Sequence, residues 1–138
     1  MSRLTSLKPG DKVDMFSRKG TLQHWNRFAA VNDEFADHHM SDEGGQHEGF
    51  PAAFAMSPLE VSYLHNMLRD WLGSAGRIVS IEVRLKNVFL RGRTMTCHAE
   101  VSEIRDEDGG RLASLNVWEE DDRGTRLVAG EAQVLLTP

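Results

Sequence analysis

A single cysteine, Cys97, and a single tyrosine, Tyr63, stand in a chain of 138 residues. One thiol cannot close an internal disulfide, so no covalent staple is available, and the composition fits a reducing compartment. No apolar run approaches membrane-spanning length, and the opening MSRLTSLKPGDK has no apolar signal core. The expected location is cytoplasmic, with no membrane partner. Positive charge is also short: 16 Lys and Arg against 21 Asp and Glu leave a net charge of −5. With no basic run to offset it, that balance argues against a general nucleic-acid binder. Internal repeats, low-complexity tracts and linkers are missing as well. What is there, 40% hydrophobic and 27% charged residues, reads as one domain over 1–138 able to bury a core unaided.

The strongest local signal is a helix from Ser57 to Leu72. Ser57 suits the N-cap, Pro58 the first helical position and Glu60 the acid of a capping box, with Met56 and Val61 placed as a hydrophobic staple. Leu64, Met67, Leu68, Trp71 and Leu72 recur at the spacings that build one apolar face, and Gly73 suits the C-terminal stop.

Before that helix, Pro9-Gly10-Asp11 signals a turn in an irregular lead-in over 1–20, with a short strand expected around Val13 to Phe16. Thr21 can cap a helix carrying Leu22, Trp25, Phe28 and Ala29 and ending near Val31. From Asn32 to Gly49 runs a polar, aperiodic segment holding His38, His39 and His47 among several acids. Such a segment inside a compact domain is usually functional or mobile.

After Gly76 the period falls to two. Val79 to Leu85, Met95 to Val101, Leu112 to Trp118 and Leu127 to Leu136 read as strands, with Asp106 to Gly110 a hairpin turn and Gly130 a candidate bulge. Four strands in meander order after one helix predict an α+β domain, an antiparallel sheet curled around that helix.

Chemistry points to Asp33-Glu34-Phe35-Ala36-Asp37-His38-His39. An acid and an imidazole five residues apart can converge on one water molecule. The spacing favours His38, with His39 the other candidate. Free N–H groups at the helix start near Ser57 can stabilise an oxyanion. The histidines lack a tight ligand spacing such as His-Glu-x-x-His, so no metal is expected.

The stretch from Phe28 to Ser62 resembles the MaoC-like, or (R)-specific enoyl-CoA hydratase, branch of the hotdog fold. Phe28 takes the family's aromatic position, Asp33 and His38 its Asp-x-Asn-Pro-x-His pair, and Gly49-Phe50 with Phe54-Ala55-Met56-Ser57 its lead into the helix. Phe35-Ala36 replaces Asn-Pro, and Ser57 stands for a glycine. The resemblance implies a trans-2-enoyl thioester of CoA or acyl carrier protein as substrate and no further cofactor. Asp33 and His38 would hold the water, the Ser57 N–H would polarise the carbonyl, and Ser62 would position the pair. Ser62 is also readable as a plain helix residue. Phe54 and Met56 become candidate substrate contacts, and Arg84, Arg91 and Arg93 phosphate partners on charge alone. A homodimer or a heteromer with another hotdog subunit is implied. The rivals are a hotdog thioesterase and a non-catalytic hotdog subunit.

Overall fold

The computed structural model describes residues 3–107 and 109–138. Residues 1 and 2 of the lead-in and residue 108 of the expected Asp106-to-Gly110 hairpin lie outside it. Thr21 caps helix α1, Leu22–Asn32, its Oγ1 accepting the His24 N–H at 3.2 Å. Two short helices follow, α2 (Asp37–Met40) and α3 (Asp42–His47), and then the long helix α4, Ser57–Leu72. The apolar face of α4 is buried as its spacing requires, with Leu59, Tyr63, Leu64, Met67, Leu68, Trp71 and Leu72 all in the core. Each aliphatic side chain of that kind contributes about 1.5–3 kcal/mol on burial.

The strands are β1 (Phe16–Lys19), β2 (Gly76–Leu85), β3 (Thr94–Glu107), β4 (Gly110–Asp121) and β5 (Arg126–Leu136). They form one antiparallel sheet in the order β1-β3-β4-β5-β2. Alternate residues face the helix: Met95, Cys97, Ala99 and Val101 on β3, then Ala113, Leu115, Val117 and Glu119 on β4. A carboxyl group thus occupies a core-facing position of β4. The result is the expected α+β architecture of a sheet wrapped around one helix.

Several expectations need correction. The first strand begins at Phe16 and runs to Lys19 instead of spanning Val13 to Phe16; Val13 is buried and its N–H donates to Ala99 O. The polar segment is not irregular, because Ser41 caps α3 by accepting the Gly44 N–H at 2.9 Å. The four later strands are not a simple meander: β3, β4 and β5 are, but β2 pairs with β5 at the sheet edge. Gly130 is not a bulge. It pairs regularly with Val83 and Val117, and a Cβ there would stand 2.1 Å from Glu82 O, so glycine is what lets β2 lie so close.

At the start of α4 the N-cap is Met56, with no side-chain cap bond, and Ser57 is the first helical residue. Ser57 is therefore not the cap, and Glu60 closes no capping box; its side chain is buried.

Candidate active site

A cavity of about 630 Å³ opens where the 34–39 segment, the start of α4 and the ends of β2 and β4 meet. Glu34, His38, His39, Phe54, Ser57 and Glu60 line it, together with the cationic side chains Lys86, Arg93 and Arg123.

The geometry begins at Asp33, the C-cap of α1, whose φ of 54° and ψ of 47° put it in the left-handed region. Aspartate is among the few non-glycine residues that adopt that conformation readily. Its N–H and that of Glu34 both return to Ala29 O, so the chain reverses at Asp33. The consequence is a shift of one residue: Asp33 is exposed and outside the cavity, while Glu34 faces into it.

The same shift separates the two imidazoles. His39 is buried, at 6% exposure, and its Nδ1 lies 2.8 Å from Phe54 O. A carbonyl only accepts, so Nδ1 carries the proton and Nε2 presents its lone pair. Nε2 stands 3.8 Å from Glu34 Oε1. That is too long for a direct hydrogen bond, and close enough for both atoms to hold one water. Burial, and secondarily the neighbouring His38, push the His39 pKa below its ordinary value despite the Phe54 bond and Glu34.

His38 lines the cavity differently. Its ring stacks on Phe54 at 4.8 Å and 9°, meets His39 edge-on at 4.2 Å, and has Nδ1 4.0 Å from Glu48 Oε1. It forms wall together with Phe54, whereas His39 presents a free nitrogen to Glu34.

Ser57 lines the cavity, and its amide, at the first helical position, has no carbonyl of its own helix to bond. Pro58 has no N–H, and the Leu59 and Glu60 amides both turn back to Met56 O. The Ser57 N–H is thus the donor that the helix start offers.

Of the other expected site residues, Ser62, Met56, Arg84 and Arg91 lie outside the cavity. Ser62 is outside the cavity, its Oγ donating to Leu59 O at 2.7 Å within its own helix. Met56 is fully buried in the core and does not line the cavity. Arg84 is exposed on β2, beside Val83 and Gly130 in a separate small cleft. Arg91 is paired through two nitrogens with Asp42, which also accepts the Ala53 N–H at 3.1 Å. That Arg91 pairing, with the Ala53 bond, holds the Asp42 carboxyl at about 2. Arg91 therefore clamps α3 to the sheet side of the site. Arg93 does line the cavity, with its Nε donating to Asp122 Oδ1 at 2.9 Å. Phe54 lines it too.

Sequence reasoning passed over Glu34, Lys86, Arg123 and Glu60's burial, and ranked His39 second. Glu34 and His39 have the same five-residue spacing as Asp33 and His38. The missing signal was the helix stop at Asp33.

No protein-family model matches this chain, and no curated protein matches it. Solved structures do. The (R)-hydratase from A. caviae involved in PHA biosynthesis superposes with a TM-score of 0.85 at 23% identity, over 95% of this chain and 98% of that one. The R-hydratase PhaJ1 from Pseudomonas aeruginosa gives 0.86 at 16% identity, over 96% and 84%. A chain of the ChsH1-ChsH2 complex from Mycobacterium tuberculosis gives 0.82 at 20%, over 94% and 98%. At these identities the likeness shows the fold. The chain is a hotdog-fold protein built like the (R)-hydratases and MaoC-like dehydratases.

Proposed function

We propose that this protein hydrates a trans-2-enoyl thioester, and dehydrates the (R)-3-hydroxyacyl thioester, with Glu34 and His39 as the water-activating pair. The observation that carries the proposal is the facing of Glu34 Oε1 and His39 Nε2 across 3.8 Å in a cavity at the start of α4. A water held between them can give a proton to the imidazole as its oxygen bonds to the β-carbon. The Ser57 N–H, at the positive end of α4, polarises the thioester carbonyl, and its donor belongs to the backbone, so serine serves as well as glycine. This assignment moves the pair by one residue from Asp33 and His38, because Asp33 ends α1 and His38 stacks on Phe54.

Lys86, Arg93 and Arg123 in the cavity lining suit the anionic carrier end of such a substrate, a CoA or carrier-protein phosphate. Arg84 and Arg91 are set aside for that role. Association fits the edge strand β2, which leaves Val79 44% and Leu85 50% exposed; a second hotdog chain, identical or not, would cover them.

Product analysis with crotonyl-CoA and a bulkier enoyl-CoA tests the reading. The expected product keeps its thioester and gains water. Release of a free thiol would mean thioester hydrolysis. No reaction with any enoyl thioester, from a folded sample, would contradict the proposal and point to a supporting subunit of a second hotdog chain.

A further inference from the structure

The cavity contains a second carboxyl group that the Glu34–His39 pair does not use. Glu60 lies in the first turn of α4, lines the cavity with Ser57, and is 2% exposed. The Phe89 backbone amide lies near its carboxyl and opposes the effect of burial on it. Behind it on β4, Glu119 is fully buried, with Oε2 3.6 Å from Cys97 Sγ on β3 and Oε1 without a hydrogen-bond partner among the described residues. Tyr63 of α4 completes the group of titratable side chains here, and Arg18 of β1 acts on Tyr63. Neither carboxyl has an ion-pair partner among the described residues.

A helix position facing a core is ordinarily apolar, and a carboxyl without a cation is tolerated there when it is neutral. Burial accordingly pushes Glu60 up to about 8. Burial, with the charge of Glu60 once that residue ionises, pushes Glu119 up to about 9. At neutral pH Glu60 is therefore a neutral carboxyl group among the residues that line the cavity. Two carboxyl groups in one site, one 35% exposed and one sealed, are thereby prepared for opposite tasks.

Resting on the hydratase reading, we propose that Glu60 is the general acid of the reaction, giving its proton to the α-carbon of the enoyl thioester. The water oxygen bonds to the β-carbon and its proton goes to His39 Nε2. The π pair of the C=C bond moves to the α-carbon and forms the new C–H bond with the Glu60 proton. Water has then been added across the double bond, leaving a Glu60 carboxylate and a His39 imidazolium. Proton transfer from His39 to Glu60 through water entering the open cavity restores both. Dehydration runs the same steps backwards. A protonated Glu60 cannot take a proton from water, so it does not serve as the base of a thioesterase.

The test compares the wild type with Glu60→Gln in hydration of crotonyl-CoA from about pH 6 to about pH 10. The expected result is a loss of kcat of order 10²–10⁴ in the variant, with KM little changed. The wild-type rate should fall above about pH 8, and the residual rate of the variant should not. An active wild type with a variant within about threefold of it, or with the alkaline fall retained, overturns the role of Glu60 and leaves the hydratase reading standing. A wild type that hydrates nothing defeats that reading and this proposal together. Should Glu60→Gln fail to fold, infrared spectroscopy of the wild type supplies the readout. A protonated-carboxyl band present at neutral pH should shift when butyryl-CoA binds, and a band that does not respond overturns the proposal.

Discussion

The Nδ1–H of His39 donates to the carbonyl of Phe54 at 2.8 Å, which fixes the tautomer of the buried imidazole and aims Nε2 at Glu34. The Phe54 N–H in turn donates to His38 O at 3.0 Å. The two segments that carry the site are thus tied by backbone bonds on both sides of the imidazole, and its position does not depend on the Asn-Pro turn that the sequence lacks.

A pH prediction comes from that environment. Burial lowers the folded-state pKa of His39 below 6.5, while the unfolded chain titrates near 6.5. The folded state binds this proton more weakly, so stability is full above that pH and declines as pH falls through 6.5 and below. Activity should keep its plateau through pH 6.5 and fall at lower pH, as Nε2 takes a proton. An imidazole NMR titration assigned through His39→Gln checks it; a His39 pKa above 6.5 would contradict it.

Capping separates two serine and threonine positions that look alike in sequence. Thr21→Ala removes the acceptor of the His24 N–H and should cost about 1 kcal/mol. Ser57→Ala removes no cap bond and should leave the melting temperature within error. Thermal denaturation of both decides whether α4 begins as described.

Gly45→Ala tests how tightly the α3 segment is seated. A Cβ there would stand 1.9 Å from Ala52 O, and backbone cannot yield as a side-chain tip does. The expected loss is about 1–3 kcal/mol, together with lower activity, since Ala52 lies in the lead into Phe54 and α4. Denaturant unfolding checks the first and the hydration assay the second.

Asp42 and Arg91 should behave as one unit. Asp42→Asn and Arg91→Ala each release α3 from the strand side, and the double variant should be little worse than the more damaging single one. Because pairing holds Asp42 at about 2, its contribution is present above the ordinary 3.8 and is lost as pH falls from there towards 2. A double-mutant cycle on thermal stability measures the coupling.

The fold was legible where periodicity is strong. Leu64, Met67, Leu68, Trp71 and Leu72 define α4, and Met95, Cys97, Ala99 and Val101 define the inner face of β3. The pairing of β2 with β5 was not, because strand order depends on non-local contacts such as Gly130 beneath Glu82, which no alternation encodes. At the candidate site, residues of the 34–39 segment and Ser57 at the helix start line one cavity, as their stretches in the sequence suggested. Which side chains face the cavity was obscured by local backbone geometry: Asp33 reads as a catalytic acid, and the structure makes it a left-handed helix stop outside the cavity. Glu60 reads as a capping-box acid, and its position three residues into α4 instead turns it inward.

The most direct measurement is the rate of crotonyl-CoA hydration by the purified protein and four variants, Glu34→Gln, His39→Gln, Asp33→Asn and His38→Gln. The account predicts losses of order 10² or more for Glu34→Gln and His39→Gln. Asp33→Asn should stay close to wild type and His38→Gln should fall in between. The reverse pattern, with Asp33 and His38 essential and Glu34 and His39 dispensable, would contradict it.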